Sequence, residues 1–120
     1  MEKVIVLGAS PKPGRYAYQA LVKLQAAGHD VIPVHPKVEQ IEGIRVIASL
    51  TDISTEIDTI TLYVGPDRMQ SMVDAVCALK PKRVIFNPGT ESESIENTFE
   101  EHGIQCVRDC TLIMLDQGRY

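Results

Sequence analysis

An unbroken apolar run, Lys3-Val4-Ile5-Val6-Leu7, stops at Gly8 and gives way to Ala9-Ser10-Pro11-Lys12-Pro13-Gly14-Arg15. No other stretch constrains the fold as much. Consecutive Val, Ile and Leu leave no polar face, so the run predicts a strand buried on both sides, as at the centre of a parallel sheet. Two prolines and two glycines within Gly8–Arg15 make that segment a loop. A helix follows it. Ala17, Ala20, Leu21, Leu24 and Ala27 fall on one stripe, and Gly28 ends it where a left-handed residue is usual.

The alternation continues along the chain. Asp30–Val34 reads as a second strand, with Pro33 near an edge because it lacks a ladder donor. Gly43–Leu50 is ambiguous between a short strand and a turn. Asp58–Val64 predicts a strand. A helix opening at Pro66-Asp67 carries Met69, Met72, Val73, Val76 and Leu79, and Pro81 closes it. Arg83–Phe86 is a strand, Glu93–Glu101 a helix, Ile104–Val107 a last strand, and Thr111–Leu115 one helical turn. Thr90-x-x-Glu93 has the form of a capping box. Strands alternating with helices of this length imply an α/β fold: a Rossmann-like open parallel sheet of about five strands, helices on both faces.

With 120 residues, a single domain over residues 1–120 is expected. The 44% hydrophobic and 23% charged composition is that of a globular chain. A net charge of -4 disfavours nucleic acid as a partner. No apolar run approaches the roughly 20 residues that cross a bilayer, and Met1–Gly8 lacks the pattern of a signal peptide. The expectation is a cytoplasmic protein with no membrane partner. Cys77, Cys106 and Cys110 are odd in number, which argues against a disulfide framework. Cys106-x-x-x-Cys110 has no second Cys/His pair to complete a metal site.

In open α/β sheets ligands bind beyond the carboxyl ends of the strands, where the strand order reverses. The Gly8–Arg15 loop is the most informative such segment. Gly8 lets backbone approach a phosphate, the following helix offers unpaired N–H groups, and Lys12 and Arg15 add charge. It is not the dinucleotide fingerprint: Gly8-x-Ser10 replaces Gly-x-Gly, and Pro11 and Pro13 cannot donate. Nor does the second strand end in the acid that holds a bare ribose in NAD sites. Val34-His35-Pro36-Lys37 places a cation there, which favours a ribose carrying a phosphate and leaves NADP or coenzyme A.

These segments, with Tyr18 and Val107-Arg108-Asp109-Cys110, resemble the small bacterial coenzyme A-binding proteins related to the N-terminal domain of the succinyl-CoA synthetase α subunit. The resemblance implies coenzyme A as cofactor and free coenzyme A or an acyl-CoA as the small-molecule partner. Gly8, Ala9, Ser10, Lys12 and Arg15 would hold the pyrophosphate, with Tyr18 lining the same pocket. Val34, His35, Pro36 and Lys37 would flank the adenosine, Lys37 near a phosphate. Tyr63, Val64 and Pro66 would form an apolar wall, and Asn87 and Gly89 would lie near the pantetheine arm. The chain departs from many relatives at Asn87-Pro88-Gly89-Thr90-Glu91, which replaces a Trp/Gln-rich segment, and at His35, where Asn is common.

Catalytic groups are sparse. His29 and His102 adjoin glycines at helix ends, where they meet carbonyls or water. Glu93 suits capping, and Cys77 and Cys106 suit burial. No Ser-His-Asp set, metal cluster or Walker loop is present. The sequence therefore favours a non-catalytic coenzyme A-binding protein over an enzyme. The alternatives are an NADP-dependent oxidoreductase and the coenzyme A-binding subunit of a CoA ligase completed by a partner chain. A homodimer through an exposed edge or helix is a common outcome for so small a sheet.

Overall fold

A computed structural model describes residues 1–120. The elements run β1 (Lys3–Leu7), α1 (Tyr16–Ala26), β2 (Asp30–Val34), β3 (Gln40–Ile41), β4 (Ile44–Arg45), β5 (Thr59–Leu62), α2 (Pro66–Met69), α3 (Val73–Leu79), β6 (Arg83–Phe86), α4 (Glu93–Glu101), β7 (Gln105–Arg108) and α5 (Thr111–Asp116). Short 3-10 turns occupy Leu50–Asp52 and Gln70–Met72. Five strands form one parallel sheet in the order β2-β1-β5-β6-β7. This is the α/β Rossmann-like architecture expected. No helix is long and apolar enough to cross a membrane.

β1 lies inside the sheet, between β2 and β5, and its apolar residues point both ways. Val4 and Val6 pack with Leu21 and Leu24 of α1, while Ile5 and Leu7 join Ile60, Leu62, Phe86 and Phe99 on the other face. The period of two divides one continuous run between two cores. Each large apolar side chain fully buried there is worth about 1.5–3 kcal/mol against exposure. β5 is mixed: Ile60 and Leu62 face the α3/α4 core, whereas Thr59 and Thr61 are buried on the α1/α5 side.

The ambiguous stretch resolves into a hairpin. β3 and β4 pair antiparallel, with Gln40 opposite Arg45, around Glu42 and Gly43. Both turn residues have positive φ, 51° and 75°, the backbone of a two-residue hairpin loop. Ile47 then bridges to Val34 and covers the β2 edge. The helix expected from Pro66 to Pro81 is interrupted. Ser71 Oγ donates to the Arg68 carbonyl at 3.1 Å, drawing a helical acceptor into a local bond, and the 3-10 turn lies there. Lys80, in left-handed geometry, ends α3 ahead of Pro81.

The capping box also lies elsewhere. Ser92 is the N-cap of α4: its Oγ accepts from Ile95 N–H at 3.4 Å, and its own N–H donates to Glu96 Oε2 at 3.2 Å. Thr90 is taken by a tight turn, Asn87-Pro88-Gly89-Thr90, in which its N–H and hydroxyl both donate to the Asn87 carbonyl. Proline at the second position and a positive-φ glycine at the third favour that turn over capping.

Candidate functional site

The strand order reverses between β1 and β5. β1 leads out to β2, and the chain then crosses back to place β5 on the other side. At this switch point the two strand ends nearly touch. Gly8 has φ +87°, and a Cβ there would lie 2.8 Å from Val64 Cγ2 and 2.9 Å from the Tyr63 carbonyl oxygen. Only glycine allows both the conformation and the approach. The Gly8 and Ala9 N–H groups both donate to the Val34 carbonyl, at 3.1 Å each, and tie the loop to the end of β2.

Beyond Ala9 the loop turns upward. Ser10 Oγ accepts from Lys12 N–H at 3.2 Å, and Lys12 C=O accepts from Arg15 N–H at 3.0 Å. α1 then starts with Arg15 as an N-cap that makes no side-chain cap bond, and its first turn holds no acid. The N–H groups of Tyr16, Ala17 and Tyr18 have no protein acceptor. A helix start in this condition carries a partial positive charge with free donors.

A cavity of about 610 Å³ opens over this helix start. The loop from Gly8 to Lys12 forms its floor, and Tyr16, Val38 and Tyr63 form apolar walls. Lys12, Arg15 and Arg68 line it, with His35, and no carboxylate does. None of these three cations is in an ion pair. In a chain of net charge -4, that is a local concentration of unneutralised positive charge.

Two further cavities adjoin it. One of about 230 Å³ shares Gly8, His35 and Arg68 with the first. Its walls include Leu7, Val34, Pro36, Val64 and Met72, with the hydroxyl-bearing Ser49, Thr51 and Ser71 among its lining residues. The other, about 400 Å³, shares Tyr16 and Tyr63 with the first and is otherwise lined by Asn87, Pro88, Cys110, Leu112 and Ile113. The Tyr63 hydroxyl is buried without a hydrogen-bond partner. Burial pushes its pKa up to about 12, so it is a donor at neutral pH.

The structure thus gathers Gly8, Ala9, Ser10, Lys12, Arg15, His35 and Tyr63 around the first cavity, and Val34, Pro36 and Val64 around the second. Asn87 borders the third, but its amide is engaged. Nδ2 donates to Thr61 Oγ1 and to the Leu62 carbonyl, each at 2.7 Å, and Oδ1 accepts from Thr111 N–H at 2.9 Å. Tyr18, Lys37 and Gly89 line none of the three. Tyr18 donates to Glu42, a bond that raises its phenol pKa. Lys37 N–H donates to His35 Nδ1 at 3.0 Å, and the residue is exposed. Gly89 is the turn corner, its N–H bonded to Glu91 Oε1 at 2.9 Å.

Sequence reasoning missed Tyr16, Val38 and Arg68. Tyr16, and not Tyr18, lines the cavity because the helix begins at Tyr16, and two residues along a helix turn a side chain by roughly 200°. Arg68 follows Pro66 by two residues, so its place beyond the end of β5 was the available signal.

Other titratable groups lie apart from these cavities. His102 Nδ1 donates to the Thr98 carbonyl at 2.8 Å, as expected for a histidine at a helix end. His29 Nδ1 accepts from Glu2 N–H at 3.2 Å at the opposite end of the sheet. Cys106 Sγ donates to the Glu96 carbonyl at 3.6 Å, and burial, with the charges of Glu100 and Glu96, pushes its thiol up to about 12. No group of three or more His, Cys, Asp or Glu is arranged to hold a metal ion.

Fold and site together define a Rossmann-like α/β protein with a cation-lined cavity at its topological switch point. The chain belongs to the CoA binding domain family, whose model matches residues 2–116. A crystallised uncharacterized protein is 44% identical and superposes with a TM-score of 0.94, over 100% of this chain and 98% of that one. The uncharacterized protein YneT of Bacillus subtilis (strain 168) is 21% identical over 108 residues, 90% of this chain and 80% of that one. The dinucleotide-forming acetyl-coenzyme A synthetase 1 of Ca. Korarchaeum cryptofilum, 19% identical, shares the fold with a TM-score of 0.73 over 88% of this chain and 25% of its own.

Proposed function

We propose that this protein binds coenzyme A, free or as a thioester, without itself catalysing a reaction. The observation that carries the reading is the 610 Å³ cavity, lined by Lys12, Arg15 and Arg68 and by no carboxylate, above the uncapped start of α1. Such a site suits a pyrophosphate: free N–H donors, a dipole end and the charges of Lys12 and Arg15 converge, with Arg68 at the cavity's border with its smaller neighbour. Gly8 lines this cavity and, having no side chain, lets the ends of β1 and β5 meet at its floor. The family supports coenzyme A over other anions.

Binding without catalysis is supported by how the nearby polar groups are used. His35 Nδ1 accepts a backbone N–H, and the Asn87 amide is engaged on both of its atoms. A nucleophile within reach of a base is the usual mark of covalent or acid–base chemistry. A second reading makes the chain the coenzyme A-binding part of a ligase completed by a partner. It draws on the shared fold with a quarter of the acetyl-coenzyme A synthetase chain.

A thermal-shift panel with coenzyme A, dephospho-coenzyme A, NADP and NAD tests the reading. A ligand at a hundred times its Kd stabilises the fold by about 2.7 kcal/mol, a readily measured rise in Tm. Coenzyme A is expected to give the largest rise. A rise with NADP and none with coenzyme A overturns the proposal.

A further inference from the structure

Three residues, Gly8, His35 and Arg68, border both the 610 Å³ and the 230 Å³ cavities. They form the seam between a cation-lined chamber and a smaller one with apolar walls. A nucleotide laid across that seam would have its phosphates in the first chamber, its base in the second and its ribose at the seam. The seam is rich in donors. Lys37 N–H occupies His35 Nδ1, which leaves Nε2 as the ring's donor. The Arg68 guanidinium has no ion pair, and the hydrogen bond recorded at this residue, from Ser71 Oγ at 3.1 Å, goes to its carbonyl. No carboxylate lines either chamber. Lys37, the cation that the sequence put beside the ribose, lines neither.

From this we infer that Arg68, backed by His35, is the residue that reads a phosphate monoester on the ribose. Arg68, not Lys37, then sets the preference for a ribose-phosphorylated nucleotide over its unphosphorylated counterpart. The inference rests on the coenzyme A reading and deepens it by naming the discriminating residue. Guanidinium is suited to the task, because its planar donor fork can pair with two phosphate oxygens at once.

The test is isothermal titration of the wild type, Arg68→Gln and Lys37→Ala with coenzyme A and dephospho-coenzyme A. Adenosine 3′,5′-bisphosphate, adenosine 2′,5′-bisphosphate and AMP serve as arms that separate the position of the phosphate from its presence. Arg68 and Lys37 are both exposed, so both variants are expected to keep the wild-type Tm. The wild type should prefer coenzyme A by about ten- to a hundredfold, the range set by a charge-assisted bond. Arg68→Gln should bring the two affinities within about twofold, and Lys37→Ala should keep the preference. Equal weakening of both ligands by Arg68→Gln, or loss of the preference in Lys37→Ala alone, overturns the assignment. Wild-type protein that binds both ligands equally overturns the assignment but leaves the coenzyme reading standing. Wild-type protein that binds neither overturns both.

Discussion

Gly8 sits so close to Val64 that a methyl group in place of its hydrogen would come within 2.8 Å of Val64 Cγ2. The ends of β1 and β5 therefore meet at the floor of the cation-lined cavity, and the residue between them must be glycine twice over, for space and for its φ of +87°.

Gly8→Ala is expected to cost about 2 kcal/mol or more, from a strained backbone and displacement of Val64. Gly14 is the control. It lies in the same loop, but its added Cβ would meet nothing within 4 Å, and its φ is not positive. Gly14→Ala should stay within about 0.5 kcal/mol of wild type. Urea unfolding of both variants checks this. Equal midpoints for the two would contradict the account of the cavity floor.

Asn87 joins three elements: it donates to Thr61 and Leu62 of β5, it follows β6, and it accepts from the first N–H of α5. Asn87→Ala leaves Thr111 N–H and the Leu62 carbonyl without this partner in a buried setting, a loss of about 2 kcal/mol or more. The expected signature is a lowered urea midpoint. An unchanged midpoint would mean that Asn87 is free to serve a ligand instead.

Much of this arrangement was legible in the residues. Consecutive apolar positions marked β1, β2 and β6, and three- and four-residue spacings marked α1 and α4, because whole faces of those elements are buried. The β3–β4 hairpin was not legible, since strands of two residues carry no period. The identity of the tyrosine at the cavity depended on where α1 begins, and a shift of two residues exchanges Tyr18 for Tyr16. Thr90 and Ser92 are both good caps by type, and the Pro88-Gly89 turn decides between them. Arg68 joins the site only when β5 pairs beside β1, a long-range event that local pattern does not encode.

Acid stability should depend on Asp58. Its Oδ2 accepts Lys3 N–H at 2.8 Å, and its Oδ1 pairs with Lys82 Nζ at 3.0 Å, so its carboxyl is held below the ordinary value of 3.8. A lowered folded-state pKa means that the unfolded chain takes up the proton first. The stabilisation is fully present above the ordinary value and is lost as pH falls through the lowered one. Asp58→Asn should therefore be less stable than wild type at neutral pH and show a shallower decline below about pH 4. Thermal unfolding across pH 2–7 measures both, and parallel curves for variant and wild type would contradict the assignment.

The three cysteines should differ in reactivity. Cys77 is buried and its thiol pKa is raised by that burial, and Cys106 is pushed up to about 12. Cys110 is only partly buried and lines the third cavity. Thiolate is the reacting form, so alkylation near neutral pH should reach Cys110 first, as read by peptide mass spectrometry. If the pantetheine arm passes Tyr63 into that cavity, saturating coenzyme A should slow the reaction. Prior labelling of Cys106, or no protection by coenzyme A, would count against this placement.

The most direct test of the whole account is a titration of the ¹⁵N-labelled protein with coenzyme A, followed by amide NMR. Binding at the switch point predicts the largest shifts at Ser10, Gly14, Tyr16 and Ala17, with His29 and Gly118 at the far end of the sheet unmoved. Shifts concentrated around His29 and Gly118, or none at saturating coenzyme A, would contradict it.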